Sequence, residues 1–423
     1  MNFSAIIDYD DDYIQPLIIS SLQKRLPSST FELKDSIDTC TPASAVLQFR
    51  DYESIDFQHA VSNPQSLVNA YIIRKALIRK HYLSNTVSNW ITKHPETPLK
   101  GHVKASVDFE LDYAEFLDDA LVEAFELRES FEKNEGKEPQ DREWWILKPG
   151  MSDRGQGIRL FSTEEELQEI FEEWEAENPS DSDDDGETSD TEDARNHERE
   201  GDGIITSHLR HFVAQPYIHP PLLLEPSITD HGPRKFHIRT YVLAVGALKV
   251  YVHKPMLALF AAQPYSPPWE ADSADALRAH LTNTCLQGSD IREGSVNQFW
   301  SLTRPQNAPE DWKDAVWSQI CDTTGALFEA AARGMMIHFQ PIPNAFEMFG
   351  LDFMVDEDLN TWLLEVNAFP DFKQTGDDLK GIVEGFFEDV VDLAIKPFFG
   401  LGKAAVGGNE RSKQVLDIDL GRR

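Results

Sequence analysis

The sequence predicts an α+β protein that combines antiparallel β-hairpins with amphipathic helices. Two segments each contain two apolar runs joined by a turn, one around Gly246 and one around residues 356–360. Apolar runs separated by turn residues are typical of β-hairpins. Between the start of the chain and these hairpins, residues 162–165 form a capping box, and the apolar residues that follow repeat at helical spacing. Strands and helices mixed in this way favour the α+β class.

Composition and charge exclude several classes of function. The chain has 423 residues, 41% of them hydrophobic, and a net charge of −34 at pH 7. Residues 163–202 hold nineteen acids and two arginines, so half of the excess is local. General nucleic-acid affinity needs clustered cations and is therefore not expected. The sequence has no run of eighteen apolar residues, so no membrane span is predicted.

The cysteines and the N-terminus predict a cytoplasmic protein. Cys40, Cys285 and Cys321 lie far apart and show neither metal-ligand nor redox spacing. Such cysteines are typical of reduced thiols inside the cell. The first fifteen residues are acidic and do not match a signal or transit peptide. We expect a monomer by default.

The N-terminal part begins with a predicted strand at residues 3–8, a helix at 13–26 and a further short strand. Apolar residues between Leu67 and Tyr82 then have roughly helical spacing, with basic residues between them that include Lys80. This pattern predicts a basic amphipathic helix, which is most often a solvated face. A functional lysine here is the minority interpretation.

A lysine followed by glycines forms the first candidate phosphate site. The apolar run at residues 143–149 ends on Lys148 and Pro149, and glycines recur between residues 150 and 157. Glycine lets backbone N–H groups approach an anion, and the ammonium adds a point charge. The lysine precedes the glycines, so this is not a P-loop. A plain turn is the alternative.

Residues 178–202 are too polar to bury a core and are expected to form a disordered acidic loop. Order is predicted to resume in a strand ending near Gln215. In the next predicted strand, alternation places Lys235, His237 and Arg239 on one face, although Tyr241 falls on that face too. A phosphate partner and a solvent-facing sheet explain these three cations equally well.

The second hairpin carries the strongest candidate site. Glu365 and Asn367 alternate onto one strand face, and Asp352 lies on the partner strand. Two carboxylates and a carboxamide in an apolar hairpin suit Mg²⁺ carrying phosphates, whereas a solvated sheet edge is the alternative. Helices are predicted at 311–335 and 377–399, a long loop with one helix at about 264–306, and a mobile tail from Gly400.

Four motifs in order together resemble the tubulin–tyrosine ligase and ligase-like family. They are WWILKP…RGQGI, VAQPYIHPPLLL, RKFHIRTYVL and FGLDFMVD…WLLEVNAFP. The resemblance spans about residues 65 to 373 and implies an ATP-grasp fold whose lobes hold ATP between two antiparallel sheets. The expected division is an N-terminal lobe at 1–75, a central lobe at 76–216, a C-terminal lobe at 217–399 and the tail at 400–423.

The resemblance also implies a reaction and a role for each site residue. Such enzymes use ATP and Mg²⁺ to activate a carboxylate as an acyl phosphate, which an amino group attacks to give an amide. The implied metal ligands are Asp352, Glu365 and Asn367, and the implied catalytic cations are Arg239 and Lys148. The implied nucleotide contacts are Lys80, Lys148, Gly155, Gln156, Gly157, Gln215, Tyr217, Lys235 and His237.

Three departures from the family pattern keep other functions open. His237 replaces the aspartate of the tyrosine ligase's KFDIR motif, Leu259 stands where that ligase has an arginine, and Pro216 replaces its hinge lysine. The first hypothesis is a ligase that joins a free amino acid to a protein tail, with the acidic tail of tubulin as a candidate. The second is an ATP-binding pseudoenzyme or interaction scaffold. A ligase for a small-molecule acid is the third.

Overall fold

The computed structural model describes residues 2–41, 43–150, 157–177, 211–226, 232–270, 274–282, 295–375, 379–403 and 405–421. The chain forms two compact units. The first comprises 1–104, 218–265 and 278–423, and the second 105–217 and 266–277. Within the described ranges, no helix has both the length and the apolar character that a membrane span requires.

The strands of the described residues are, in chain order, β1 (Phe3–Asp8), β2 (Phe31–Leu33), β3 (Val46–Arg50), β4 (Ser66–Val68), β5 (Val107–Glu110), β6 (Trp145–Pro149), β7 (Arg159–Phe161), β8 (His211–Pro216), β9 (Leu223–Leu224), β10 (Arg234–Val245), β11 (Lys249–His253), β12 (Leu257–Phe260), β13 (Val296–Gln298), β14 (Phe346–Val355), β15 (Thr361–Ala368) and β16 (Ser412–Asp417).

The α-helices are α1 (Ile14–Arg25), α2 (Phe57–Ser62), α3 (Lys75–Ile78), α4 (Lys80–Lys93), α5 (Leu99–His102), α6 (Leu117–Ala120), α7 (Phe125–Asn134), α8 (Glu164–Glu177), α9 (Ala274–Leu277), α10 (Trp312–Gly334), α11 (Lys380–Val390) and α12 (Lys396–Phe398). A π-helical turn at Val391–Ile395 joins the last two.

The first unit begins with a parallel sheet in the order β2-β1-β3-β4. The amphipathic helix expected from Leu67 is wrong at its start. Leu67 lies in β4, where it pairs with Leu47, because it completes the buried parallel sheet. Helix begins only at Lys75 and again at Lys80, since Arg79 has extended backbone angles of φ −102° and ψ 123°.

A larger antiparallel sheet in the same unit is built around the long strand β10. It pairs with β11 and β12 along one edge and with β14 along the other, and β14 forms the predicted hairpin with β15. Phe236 and Ile238 pack into one hydrophobic cluster, whereas Tyr241 and Leu243 pack into the other. Strict alternation along β10 therefore places two cores on opposite faces of the sheet.

The second unit has its own antiparallel sheet, in the order β5-β8-β6-β7. Helix α8 packs beside it and contributes the buried side chains of Phe171 and Trp174, which contact the buried ring of Phe212 on β8. A capping arrangement is present one residue later than predicted, since the Glu166 N–H donates to Thr163 Oγ1 and the Glu166 carboxylate accepts from the Ser162 N–H. The acidic segment at 178–202 lies outside the described residues.

The prediction of a mobile tail from Gly400 is wrong for Ser412–Asp417, which form strand β16. Strand β16 pairs with β11 in antiparallel register, and the carbonyl of Val415 lies against Gly325 of α10. The buried Asp389 carboxylate accepts hydrogen bonds from Arg411 and from Ser412 at the start of β16. This network and the pairing with β11 hold the segment in place. Strand β13, inside the expected loop at 264–306, was also not predicted.

Candidate functional site

The β14–β15 hairpin and the neighbouring strand β10 bring four of the predicted site residues together. Arg239 on β10 is opposite Asp352 on β14, and Asp352 is opposite Glu365 on β15. The amide nitrogen of Asn367 lies 3.4 Å from Asp352 Oδ2 and 3.2 Å from Glu365 Oε1. A register shift between Asp352 and Phe353 marks a bulge at this point, and bulges re-aim side chains beside functional sites.

Arg239 and Asp352 form a buried, bidentate ion pair. Arg239 Nη2 donates to Asp352 Oδ2 at 2.9 Å, and its Nε donates to Oδ1. Burial opposes the charge on Asp352, but the adjacent Arg239 guanidinium outweighs it and holds the pKa of Asp352 below its ordinary value. Burial likewise opposes the charge on Arg239, and Asp352 holds the pKa of Arg239 above its ordinary value. Both groups are therefore charged in the folded protein.

Gly350 makes room for this ion pair. A Cβ at Gly350 would lie 3.2 Å from Arg239 Cδ and 2.7 Å from Pro370 Cβ. The Arg239 side chain crosses the sheet over this position, and Pro370 of the segment after β15 closes on it. A side chain at residue 350 would therefore displace the guanidinium from Asp352.

His237, the departure from the family pattern, is buried next to the ion pair. Its Nδ1 lies 2.6 Å from the hydroxyl of Thr282, and its Nε2 lies 3.6 Å from Asp352 Oδ1. Burial lowers the pKa of His237, which favours the neutral ring. Leu259 pairs with His237 from β12 and is fully buried in the apolar cluster. It therefore supports the sheet and is closed to solvent.

Lys235 is buried on the same strand, two residues before His237. Together with burial, its charge lowers the pKa of His280 to about 3. Lys235, His237 and Arg239 are thus all buried, which removes the solvent-facing sheet as an explanation for these cations.

The donor set at the hairpin suits a hard divalent cation. Both Asp352 oxygens already accept from Arg239, but each carboxylate oxygen has a second lone pair. Glu365 and Asn367 are only half-buried, so the site opens on their side. A half-turn of the Asn367 amide would present its oxygen. Within the described residues no group of three or more His, Cys, Asp or Glu is placed to hold a metal, so the amide oxygen and ligand phosphates would have to complete the shell.

The second unit holds the other predicted nucleotide residues. Lys148 on β6 donates from Nζ to Gln215 Oε1 on β8 at 2.8 Å, and both side chains are buried. The Tyr217 N–H donates to the Trp144 carbonyl at 2.8 Å, which holds the backbone that follows β8 in place. Pro216 pairs with Trp145 and has no N–H to offer.

The structure gives less information about the remaining predicted nucleotide residues, which are Lys80 and the glycine-rich segment at 155–157. Gly157 has a left-handed φ of +68°, as a glycine-rich turn requires. Gly155 and Gln156 lie outside the described residues. Lys80 is half-buried and begins α4.

Two site residues were missed by sequence reasoning. Thr282 lies in a polar segment that gave no signal of its contact with His237. Gly350 stands inside an apolar strand two residues before Asp352, and an interior strand glycine often marks a close approach. That signal was present in the sequence.

The chain is similar to known proteins over most of its length. Residues 62–400 match the model of the Tubulin-tyrosine ligase family. A Schizosaccharomyces pombe protein named "Probable tubulin--tyrosine ligase" is 46% identical over 94% of this chain and 93% of its own length. A Saccharomyces cerevisiae protein of the same description, PBY1, is 42% identical over 92% of this chain, which spans about half (51%) of that relative.

A solved structure extends the similarity to three dimensions. The C-terminal domain of Kluyveromyces lactis Pby1, described as an ATP-grasp enzyme interacting with the mRNA decapping enzyme Dcp2, is 36% identical to this chain. The two chains cover 99% of each other with a TM-score of 0.71.

Proposed function

The chain belongs to the tubulin–tyrosine ligase family and has the ATP-grasp fold, and from this premise we propose that it is an ATP- and Mg²⁺-dependent carboxylate–amine ligase. Its substrates would be a carboxylate on a protein tail and the amino group of a free amino acid. The acidic tail of tubulin is a candidate acceptor, since relatives named tubulin polyglutamylase and tubulin glycylase are also similar to this chain.

One observation carries the proposal. The buried Arg239–Asp352 pair ends beside the half-open Glu365 and Asn367. When bound, Mg²⁺ would offset the charge that develops on the transferred phosphoryl group. Asp352, Glu365 and Asn367 would hold it. Arg239, fixed by Asp352, would direct its guanidinium charge at a phosphate or acyl phosphate oxygen.

The second unit supports nucleotide binding independently. The Lys148 ammonium is buried and already oriented by Gln215, so little side-chain entropy is lost when a phosphate oxygen binds it. A backbone carbonyl has two lone pairs, so that of Tyr217 can accept a hydrogen bond from an adenine amino group. We assign Lys148 to the phosphates and Gln215 with Tyr217 to the adenine edge.

The test is product analysis. The protein is incubated with ATP, Mg²⁺, mixed amino acids and a cell lysate, followed by peptide mass spectrometry. We expect new amide-linked residues on protein carboxylates that depend on ATP and disappear with Glu365→Gln. Amino-acid additions that are equal without ATP, or equal in the variant, would contradict the ligase proposal.

A nucleotide-binding interaction scaffold is the second candidate. The replacements at His237 and Leu259 and the description of the Pby1 domain as interacting with Dcp2 favour it. Measuring phosphate release with acceptor tails and amino acids separates the two functions. Acceptor-stimulated release supports the ligase, and ATP binding without such release supports the scaffold.

A further inference from the structure

The carboxyl edge of the N-terminal parallel sheet has an unexplained cluster of charged and aromatic side chains. Strand β1 ends at Asp8 and is followed by Tyr9, and β3 ends at Arg50 and is followed by Asp51. In open parallel sheets, ligands bind in the crevice outside the carboxyl ends of the strands. None of the site roles described above uses these residues.

Arg50 is held in place through its backbone while its guanidinium remains available. Its N–H donates to Asn69 Oδ1, and its carbonyl accepts from the same amide. The guanidinium donates through Nη2 to Asp8, whose side chain is 60% exposed. Its Nε is buried and has no hydrogen-bond partner among the described residues. The exposed Asp8 is a weak competitor for this cation, and a buried donor without an acceptor calls for a ligand or water.

Arg74 is a second cation with unused donors. Its Nε lies 3.0 Å from Glu347 Oε1, and its guanidinium stacks 3.6 Å above the Tyr52 ring. Its Nη1 is buried, and the part of the chain that the structure describes offers it no acceptor. Burial raises the pKa of Glu347 to about 8 despite Arg74. Glu347 therefore keeps its proton at neutral pH much of the time, and the charge of Arg74 is incompletely balanced.

Tyr9 joins this cluster to the hairpin site. The charges of Asp51 and Arg74 both act on its phenol, and burial together with Asp51 raises the pKa of Tyr9. Its ring stacks on Phe369 with centroids 4.4 Å apart. Phe369 directly follows β15 and has a left-handed φ of +50°, an uncommon conformation that clusters at functional sites. Glu365 and Asn367 lie within four residues of it, so a ligand at this edge would lie beside the proposed reaction site.

We propose that this edge, formed by Tyr9, Arg50, Asp51 and Arg74, binds the free α-amino acid substrate. The α-carboxylate would be held by the two guanidinium groups and the amino group by the Asp51 carboxylate, next to Tyr9. The zwitterion matches a cluster that carries both signs of charge. This inference rests on the proposed ligase function and names the site of its second substrate.

Calorimetric titration of the full chain tests the inference. Each standard amino acid is added with Mg²⁺ and a non-hydrolysable ATP analogue, and the matching decarboxylated amine is the second probe. We expect at least one amino acid to bind and its amine to bind at least tenfold more weakly, because charge-assisted hydrogen bonds are lost. Arg50→Gln and Arg74→Gln should weaken amino-acid binding by about tenfold or more, without changing affinity for the ATP analogue.

Arg304→Gln is the matched control, because this exposed arginine pairs with an exposed glutamate. It should bind the amino acid as the unmodified protein does. Failure of every amino acid to bind would overturn the inference. So would an amine that binds as tightly as its amino acid, or an Arg50→Gln variant that binds the amino acid as tightly as the control does. Absence of affinity for the ATP analogue in the unmodified protein would instead contradict the proposed function. Arg50→Gln is the primary variant, since Arg74 also contacts the buried Glu347, and circular dichroism confirms that each variant is folded.

Discussion

At the scale of single residues, the proposed metal ligands lie in different environments. Asp352 is buried and paired twice with Arg239, whereas Glu365 is half-buried and faces the open side. Under the proposed function, the first carboxylate would therefore contribute to folding as well as to binding, and the second mainly to binding. Substitutions can separate the two effects.

Asp352→Asn should cost about 3–5 kcal/mol in the free energy of unfolding, because Arg239 would remain as an unpaired buried charge. Glu365→Gln should change this free energy by less than about 0.5 kcal/mol, because the side chain is partly solvated. Urea unfolding followed by circular dichroism measures both. Equal stability losses in the two variants would contradict this difference.

A second residue-scale prediction concerns Asp389, the buried carboxylate that accepts hydrogen bonds from Arg411 and from Ser412 at the start of β16. Burial opposes the charge on Asp389, but hydrogen bonds from His253, Arg411 and Ser412 lower its pKa to about 2. Since the folded-state pKa is depressed, the stabilisation is fully present above the ordinary pKa near 4 and is lost as pH falls towards 2. The stability advantage over Asp389→Asn should shrink by about 2 kcal/mol between pH 5 and pH 2. Urea unfolding at a series of pH values measures it, and a constant advantage would contradict the assignment.

At the scale of elements, alternation and spacing predicted most of what builds the site. The β14–β15 hairpin, the strand carrying Arg239 and the strand carrying Lys148 are all observed, because their apolar patterns match the local geometry. Leu67 was assigned to a helix because a short buried strand resembles a helical face, and only pairing with β3 distinguishes them. Strand β16 was missed because its partners, Asp389 and β11, are distant in sequence. Thr282 was missed for the same reason.

The packing of β16 on α10 gives an element-scale prediction. A Cβ at Gly325 would lie 2.8 Å from the Val415 carbonyl oxygen, so Gly325→Ala should destabilise the protein by about 1–3 kcal/mol despite alanine's better helix propensity. At Gly381 in α11, a Cβ would meet no described atom within 4 Å, so Gly381→Ala should be stabilising by up to about 1 kcal/mol. Thermal unfolding compares the two. Stabilisation by both would show that β16 does not pack against Gly325.

At the scale of the whole molecule, a net charge of −34 repels both ATP and acidic tails at long range. Local cations must therefore provide the attraction. Lys148, Lys235 and Arg239 are each buried, so water screens their charges little. A divalent cation bound with the nucleotide would reduce the remaining repulsion. This makes the dependence of ATP affinity on Mg²⁺ the most informative global property.

The central claim is that Asp352, Glu365 and Asn367 hold Mg²⁺ against the phosphates of ATP. Calorimetric titration with ATP, in Mg²⁺ and in EDTA, tests it on the unmodified protein, Glu365→Gln and Asn367→Ala. We predict that Mg²⁺ strengthens ATP binding to the unmodified protein and that each variant loses at least about tenfold of that gain, with unchanged affinity in EDTA. An equal gain from Mg²⁺ in all three proteins would contradict the claim.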